Sequence, residues 1–181
     1  DKVSSVQQKC LKFYKNLYKS SKTAISVLEE KGVVDESFKE AFNFGQAICS
    51  NGGQLWDLQA EKVLEEWRIT PADLKETITR LRKAIPEIHF AFENHGDFRR
   101  EKQYQARWDI GVDETGVDDI LDYIENGAIK LLARGSDKLF NSDELLAVAQ
   151  REVGDIVTVT HSNPWESLLE ISAHSVSKGD T

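Results

Sequence analysis

At Pro86 the spacing of apolar residues changes, and that change constrains the fold more than any motif. Before it, Leu74, Ile78, Leu81 and Ile85 recur at intervals of four, three and four, the period of a helix with one buried stripe. After it, Ile88, Phe90 and Phe92 alternate with His89, Ala91 and Glu93, the period of a strand with two unlike faces. The chain therefore combines helices and strands, and Pro86 is the natural place to divide it.

Upstream of Pro86 the reading is helical. Residues 2–31 place Val3, Val6, Cys10, Phe13, Leu17, Ala24 and Leu28 on one arc of a helix. The lysines Lys2, Lys9, Lys12, Lys15, Lys19 and Lys22 fall on the other. Residues 35–50 read as a second helix through Phe38, Phe42 and Cys49, ended by Asn51-Gly52-Gly53. Residues 54–68 read as a third, through Leu55, Val63, Leu64 and Trp67. The fourth has the clearest start, with Thr70 as cap, Pro71 at the first helical position and Asp73 in the first turn. Four helices joined by short loops predict an antiparallel bundle over residues 1–85.

Residues 86–181 read as a β-β-α-α-β-β section with two hairpins, either separate from the bundle or sharing its core. The first hairpin runs from residue 88 to 110 around Asn94-His95-Gly96-Asp97, with a helix over 98–108 as the alternative. Helices are predicted over 117–133 and 143–152, the second capped by Ser142. Strands over 156–160 and 165–171 flank the turn His161-Ser162-Asn163-Pro164. The fold class expected is α+β, with an N-terminal helical bundle.

Charge supplies the functional hints. The chain carries a formal −8, but residues 1–22 hold six lysines and one acid, a net +5, leaving −13 on the rest. An acidic body is a poor general binder of nucleic acid, because non-specific affinity for phosphate comes from excess Lys and Arg. The basic first helix, with Lys9, Lys12, Lys15 and Lys19 exposed, suits a protein partner or an anionic membrane surface through residues 2–28. If its apolar face packs on the following helices instead, those lysines form a solvated outer face. Between Arg107 and Lys130 lies an acidic run without a basic residue: Asp109, Asp113, Glu114, Asp118, Asp119, Asp122 and Glu125. Asp118, Asp119 and Asp122 suit the positive end of a helix dipole, or a basic partner, which includes the first helix itself within one chain or, by self-association, between two copies. Asp109 and Asp113 are the candidate ligands of a hard divalent cation, although no calcium-loop spacing occurs. Trp165, directly after the turn at Pro164, is a further candidate partner contact.

Enzyme signatures are missing. There is no nucleophile elbow, no glycine-rich phosphate loop, and no His or Cys at zinc spacing. The sequence thus leads to a non-enzymatic interaction module, of adaptor, effector or immunity type, working through the basic helix or the acidic 109–125 segment and needing no cofactor. Two alternatives stand beside it. One is a metal-dependent hydrolase or nuclease using Asp97, Asp109 and Asp113; the other is a peripheral membrane-binding protein. Two cysteines are too few for a disulfide framework, and Lys12, Lys15 and Lys19 interrupt any secretory core, so the expected compartment is the cytoplasm.

Overall fold

The structure is a computed structural model. It describes residues 46–57, 60, 62–94, 97–105, 115–161, 163–164, 166–174 and 176. The first helix read from the sequence, with its four candidate lysines, lies outside these residues, as do Asp109, Asp113 and Trp165.

Two antiparallel sheets and two α-helices make up the described fold. Strands β1 (Gln46–Cys49), β2 (Gln54–Asp57) and β3 (Lys62–Glu66) form a three-stranded meander. Helix α1 (Pro71–Ala84) follows, then β4 (His89–Asn94) and β5 (Asp97–Arg100). A 3-10 turn at Ile120–Tyr123 leads to β6 (Lys130–Arg134), α2 (Ser142–Val153), β7 (Val157–Thr160) and β8 (Leu168–Ala173). The larger sheet has the order β5-β4-β6-β8-β7, antiparallel throughout. This is an α/β arrangement, and the expectation of an N-terminal helical bundle is corrected by it.

The correction has a local cause. The span read as a third helix folds as the β2–β3 hairpin, because Gln54 and Trp56 are buried while Leu55 and Asp57 are half-buried. That is strand alternation over a run too short to separate from a helical stripe by spacing alone. Asp57 then closes the turn, its Oδ1 accepting the Ala60 N–H at 2.8 Å, as turn-forming Asp does. The end of the second predicted helix is β1 and a 3-10 turn, Ser50–Gly52.

Where capping chemistry is strong, sequence and structure agree. The Thr70 hydroxyl accepts from the Asp73 N–H at 3.1 Å, and Leu74, Thr77, Ile78 and Leu81 form the buried stripe of α1. Helix α2 is capped by Asn141 rather than Ser142. Its Oδ1 accepts from Glu144 N–H at 2.9 Å, and Glu144 Oε2 accepts from Asn141 N–H at 3.0 Å, a reciprocal box that satisfies two orphan donors. Strands β4, β7 and β8 also form where alternation predicts them.

The predicted helix over 117–133 is absent. Asp119 caps only a short 3-10 turn, and Gly127 adopts φ +69°. The following residues alternate, with Leu131 and Ala133 facing the core and Lys130, Leu132 and Arg134 facing away. Leu131 fits the helical stripe with Ala128 and the period of two with Ala133, and the sheet selects the latter.

One face of the larger sheet carries the core. Phe90, Phe92, Leu131, Ala133, Leu169, Ile171, Val157 and Val159 pack beneath Leu74, Ile78, Leu81 and Ile85 of the α1 segment and Leu145, Ala149 and Val153 of α2. The chain before Pro86 thus contributes to the same core as the chain after it. The small sheet joins through a bridge between Ile69 and Ala128, with N–H···O bonds of 2.8 and 3.1 Å. Gly127 makes this join possible: at its positive φ a Cβ would lie 2.6 Å from the Ile69 carbonyl oxygen. Gly127→Ala is therefore expected to destabilise the protein by about 2 kcal/mol or more, read as a lower urea midpoint with unchanged slope.

Candidate functional site

Two polar constellations stand out, one at the end of α1 and one on the second face of the larger sheet. The first is built on Glu101, which follows β5 and has a side chain only 4% exposed. Its Oε2 accepts the Phe90 N–H at 2.9 Å, and its Oε1 accepts from Arg82 and, at 3.4 Å, from the Ile120 N–H. Arg82 also binds Asp119 in fork geometry, Nη2–Oδ1 2.8 Å and Nη1–Oδ2 3.2 Å. His89 Nδ1 stands 3.7 Å from Glu101. These side chains, with Gln103 and Asp118, line a cleft of about 420 Å³.

The sequence candidates on the acidic run fall here, in unlike roles. Asp119 holds Arg82 and caps the 3-10 turn through Leu121 N–H at 2.9 Å. The Arg82 hydrogen bond holds its carboxyl below the usual carboxylate range, against the opposing effect of burial. Asp118 is exposed and pairs with Lys102 at 2.6 Å, and Asp122 is an exposed residue of the turn. The acidic run thus receives Arg82 and Lys102 from nearby chain. With its guanidinium engaged by two carboxylates and more acid around it, this cleft is a poor seat for an anion. Its work is to hold the 3-10 turn to α1 and β4. Glu101→Ala strips an acceptor from two backbone N–H groups and from Arg82, and is expected to cost about 3 kcal/mol in chemical denaturation.

The second constellation occupies the sheet face away from the helices. Glu93 of β4, Lys130 of β6 and Glu170 of β8 lie on this face, brought together by antiparallel register. Lys130 Nζ is 3.4 Å from Glu170 Oε1, and the two side chains are 14% and 16% exposed. The 3-10 turn after β1 contributes from above. Ser50 Oγ donates to Glu93 Oε2 at 3.3 Å, and Asn51 Nδ2 donates to Glu170. Both turn residues hold left-handed backbone, φ +50° and +58°, which is costly for non-glycine residues. Left-handed backbone beside half-buried charge makes this face a candidate site. Further along the same face stand Arg134 and Tyr104.

Burial pushes the Glu93 carboxyl up, with Lys130 and the Ser50 hydrogen bond opposing and Glu170 adding to the rise. The folded protein therefore holds this proton more tightly than the unfolded chain does. The resulting stability is fully present below the ordinary value of 4.5 and is lost as pH rises through the folded-state value. Glu93→Gln should remove that decline, flattening the urea midpoint against pH from 4.5 upward relative to the parent.

Sequence reasoning missed Glu93, Lys130, Arg134 and Glu170 as site residues. The available signal was charge at alternate positions of otherwise apolar runs, as in Lys130-Leu131-Leu132-Ala133-Arg134 and Leu168-Leu169-Glu170-Ile171. Among the described residues, no three His, Cys, Asp or Glu side chains are grouped to hold a metal ion. The nuclease-type carboxylate set and the membrane-docking helix depend on residues outside the described ones. Among the described residues no helix is long and apolar enough to cross a membrane.

No protein-family model matches the chain, and no curated protein matches its sequence. Solved structures do. TM0651 from Thermotoga maritima is 25% identical with a TM-score of 0.56, covering 71% of this chain and 48% of that one. A protein from Eubacterium rectale is 15% identical with a TM-score of 0.58, covering 74% and 50%. A structure from a phosphoryl-transfer superfamily, in which a trigonal-bipyramidal intermediate is conserved, is 14% identical with a TM-score of 0.51, covering 86% and 53%. The chain spans about half the length of these structures. Their fold is α/β like this one, and the expectation of a non-enzymatic adaptor, effector or immunity-type module is corrected: the structures this chain resembles include one from a phosphoryl-transfer superfamily.

Proposed function

We propose that this chain is the substrate-facing part of a phosphoryl-transfer enzyme, with the second face of the larger sheet turned toward a phosphorylated small molecule. The observation that carries this reading is the shared fold with a member of a phosphoryl-transfer superfamily. Transfer of a phosphoryl group demands fixed donors and cations around spreading negative charge, placed where water is scarce. The second face offers Lys130 in that condition, half-buried and paired with Glu170, with Glu93 alongside. Residues that hold such charges out of water usually serve a ligand, since an apolar pair would stabilise the sheet as well. The Glu101 cleft supports the reading indirectly, by fixing the register of β4 against the 3-10 turn that leads into β6.

The test is orthophosphate release with Mg²⁺ from a panel of sugar phosphates, nucleotides and phosphorylated acids, using the full polypeptide that carries this chain. Release from at least one substrate is expected, with Lys130→Met lowering kcat/KM by roughly a hundredfold. Vanadate, which takes up trigonal-bipyramidal geometry, should raise the melting temperature by mass action. Failure of every substrate, together with no thermal shift from vanadate or orthophosphate, would overturn the reading.

A further inference from the structure

Arg134 is a buried cation with too few partners. Its side chain is 8% exposed, yet its ionic partner Asp137 lies at 3.8 Å, beyond hydrogen-bond reach. The other oxygen of that carboxylate accepts the Ser167 N–H at 3.0 Å, which fixes Asp137 where it is. Among the described residues the Arg134 guanidinium makes no hydrogen bond, although it carries five donors. Buried guanidinium groups are almost always paired and bonded, because an unmet charge in a low-dielectric setting is expensive.

A second unmet donor stands close by. Tyr104 is 4% exposed, packs with Ala91, Phe98 and Leu168, and its hydroxyl makes no hydrogen bond among the described residues. Arg134 lies opposite Leu168 across β6 and β8, so both polar groups share the second face of the sheet. Burial pushes the Tyr104 hydroxyl up to about 12, so it keeps its proton and donates at any physiological pH. Among the described residues, the buried side-chain polar atoms without a partner are Thr77 Oγ1 and His161 Nδ1, so the guanidinium and the phenol stand recessed without being fully enclosed.

We infer that Arg134 and Tyr104 form an oxyanion subsite on the second face of the sheet, taking one carboxylate or phosphate group of a bound small molecule. The guanidinium presents two parallel N–H groups to two oxygens, and the phenol donates to one of them. Asp137 orients the guanidinium without using up its fork. The carboxylates of Glu166 and Glu170 also act on the Tyr104 hydroxyl, opposing Arg134, so the anion must be bound by directed N–H and O–H groups and not by net charge. The inference rests on the proposed function only in treating this face as the ligand face.

The test is titration of the full chain with orthophosphate and, separately, with acetate, at constant ionic strength in chloride. Binding is read from the arginine Nε–H and tyrosine ring resonances. Saturable binding of at least one anion is expected, with shifts at Arg134 and Tyr104, and the preferred anion identifies the ligand group. Arg134→Lys keeps the charge and loses the fork, and should weaken binding roughly tenfold; Tyr104→Phe should weaken it roughly threefold. Arg80→Met, on the exposed side of α1, should leave it unchanged. The inference falls if neither anion binds, or if binding survives both substitutions, or if Arg80→Met matches their effect. Phosphate release with unchanged KM in Arg134→Lys would sink this subsite while leaving the proposed function standing. Anion binding that requires Arg134, without release from any substrate, would do the reverse.

Discussion

A single buried carboxylate holds together what the rest of the structure needs. Glu101 accepts from the backbone of β4, from the backbone at Ile120 and from Arg82 of α1. Those three segments are separated in sequence, and Phe90, Ile120 and Leu81 from them meet in the same hydrophobic core. Once the carboxylate is buried, each donor it meets is one that would otherwise be stranded, so the knot forms as a unit or not at all. Its consequence is topological. The chain leaves β5 at the edge of the sheet and must cross back to form β6 in the middle of it. Anchoring the Ile120–Tyr123 turn to α1 and β4 sets where that crossing begins.

The larger sheet then divides its labour by face. One face is continuous hydrocarbon under two helices and supplies most of the stabilisation. The other carries charge at positions where burial is costly, and that cost is met by pairing Lys130 with Glu170 and Glu93 with Ser50. Because alternation along a strand is strict, the residues that build the core oblige their neighbours to build the second face. Core and site are therefore two readings of the same strands, and a slip of one residue would exchange them.

Electrostatic context agrees with this division. The chain is acidic overall, and much of the acid between residues 115 and 125 is exposed or engaged with Arg82 and Lys102. The cations of the second face are recessed instead of displayed. A recessed cation in an acidic body attracts few anions at long range but binds strongly the one whose shape fits, a balance that suits selection of a small ligand over capture of a polyanion.

Some of this was written in the sequence. The cap at Thr70 with Pro71, the stripe of α1, the alternation of Phe90 and Phe92, and the spans of α2, β7 and β8 follow from local chemistry, because caps and strict periods act within a few residues. The core face was legible for the same reason. The small sheet and β6 were not: Leu55, Val63 and Leu131 fit a helical stripe as well as a strand, and only their partners across the sheet choose between them. The site was hidden more deeply. Glu93, Lys130 and Glu170 sit in three separate strands, and nothing in their order says that antiparallel register will bring them together. Among the described residues, Arg134 and Tyr104 become donors without a hydrogen bond only once their surroundings exist. Sequence decides which residues a segment can bury; tertiary structure alone decides which charges meet, since that depends on contacts between residues far apart in the chain.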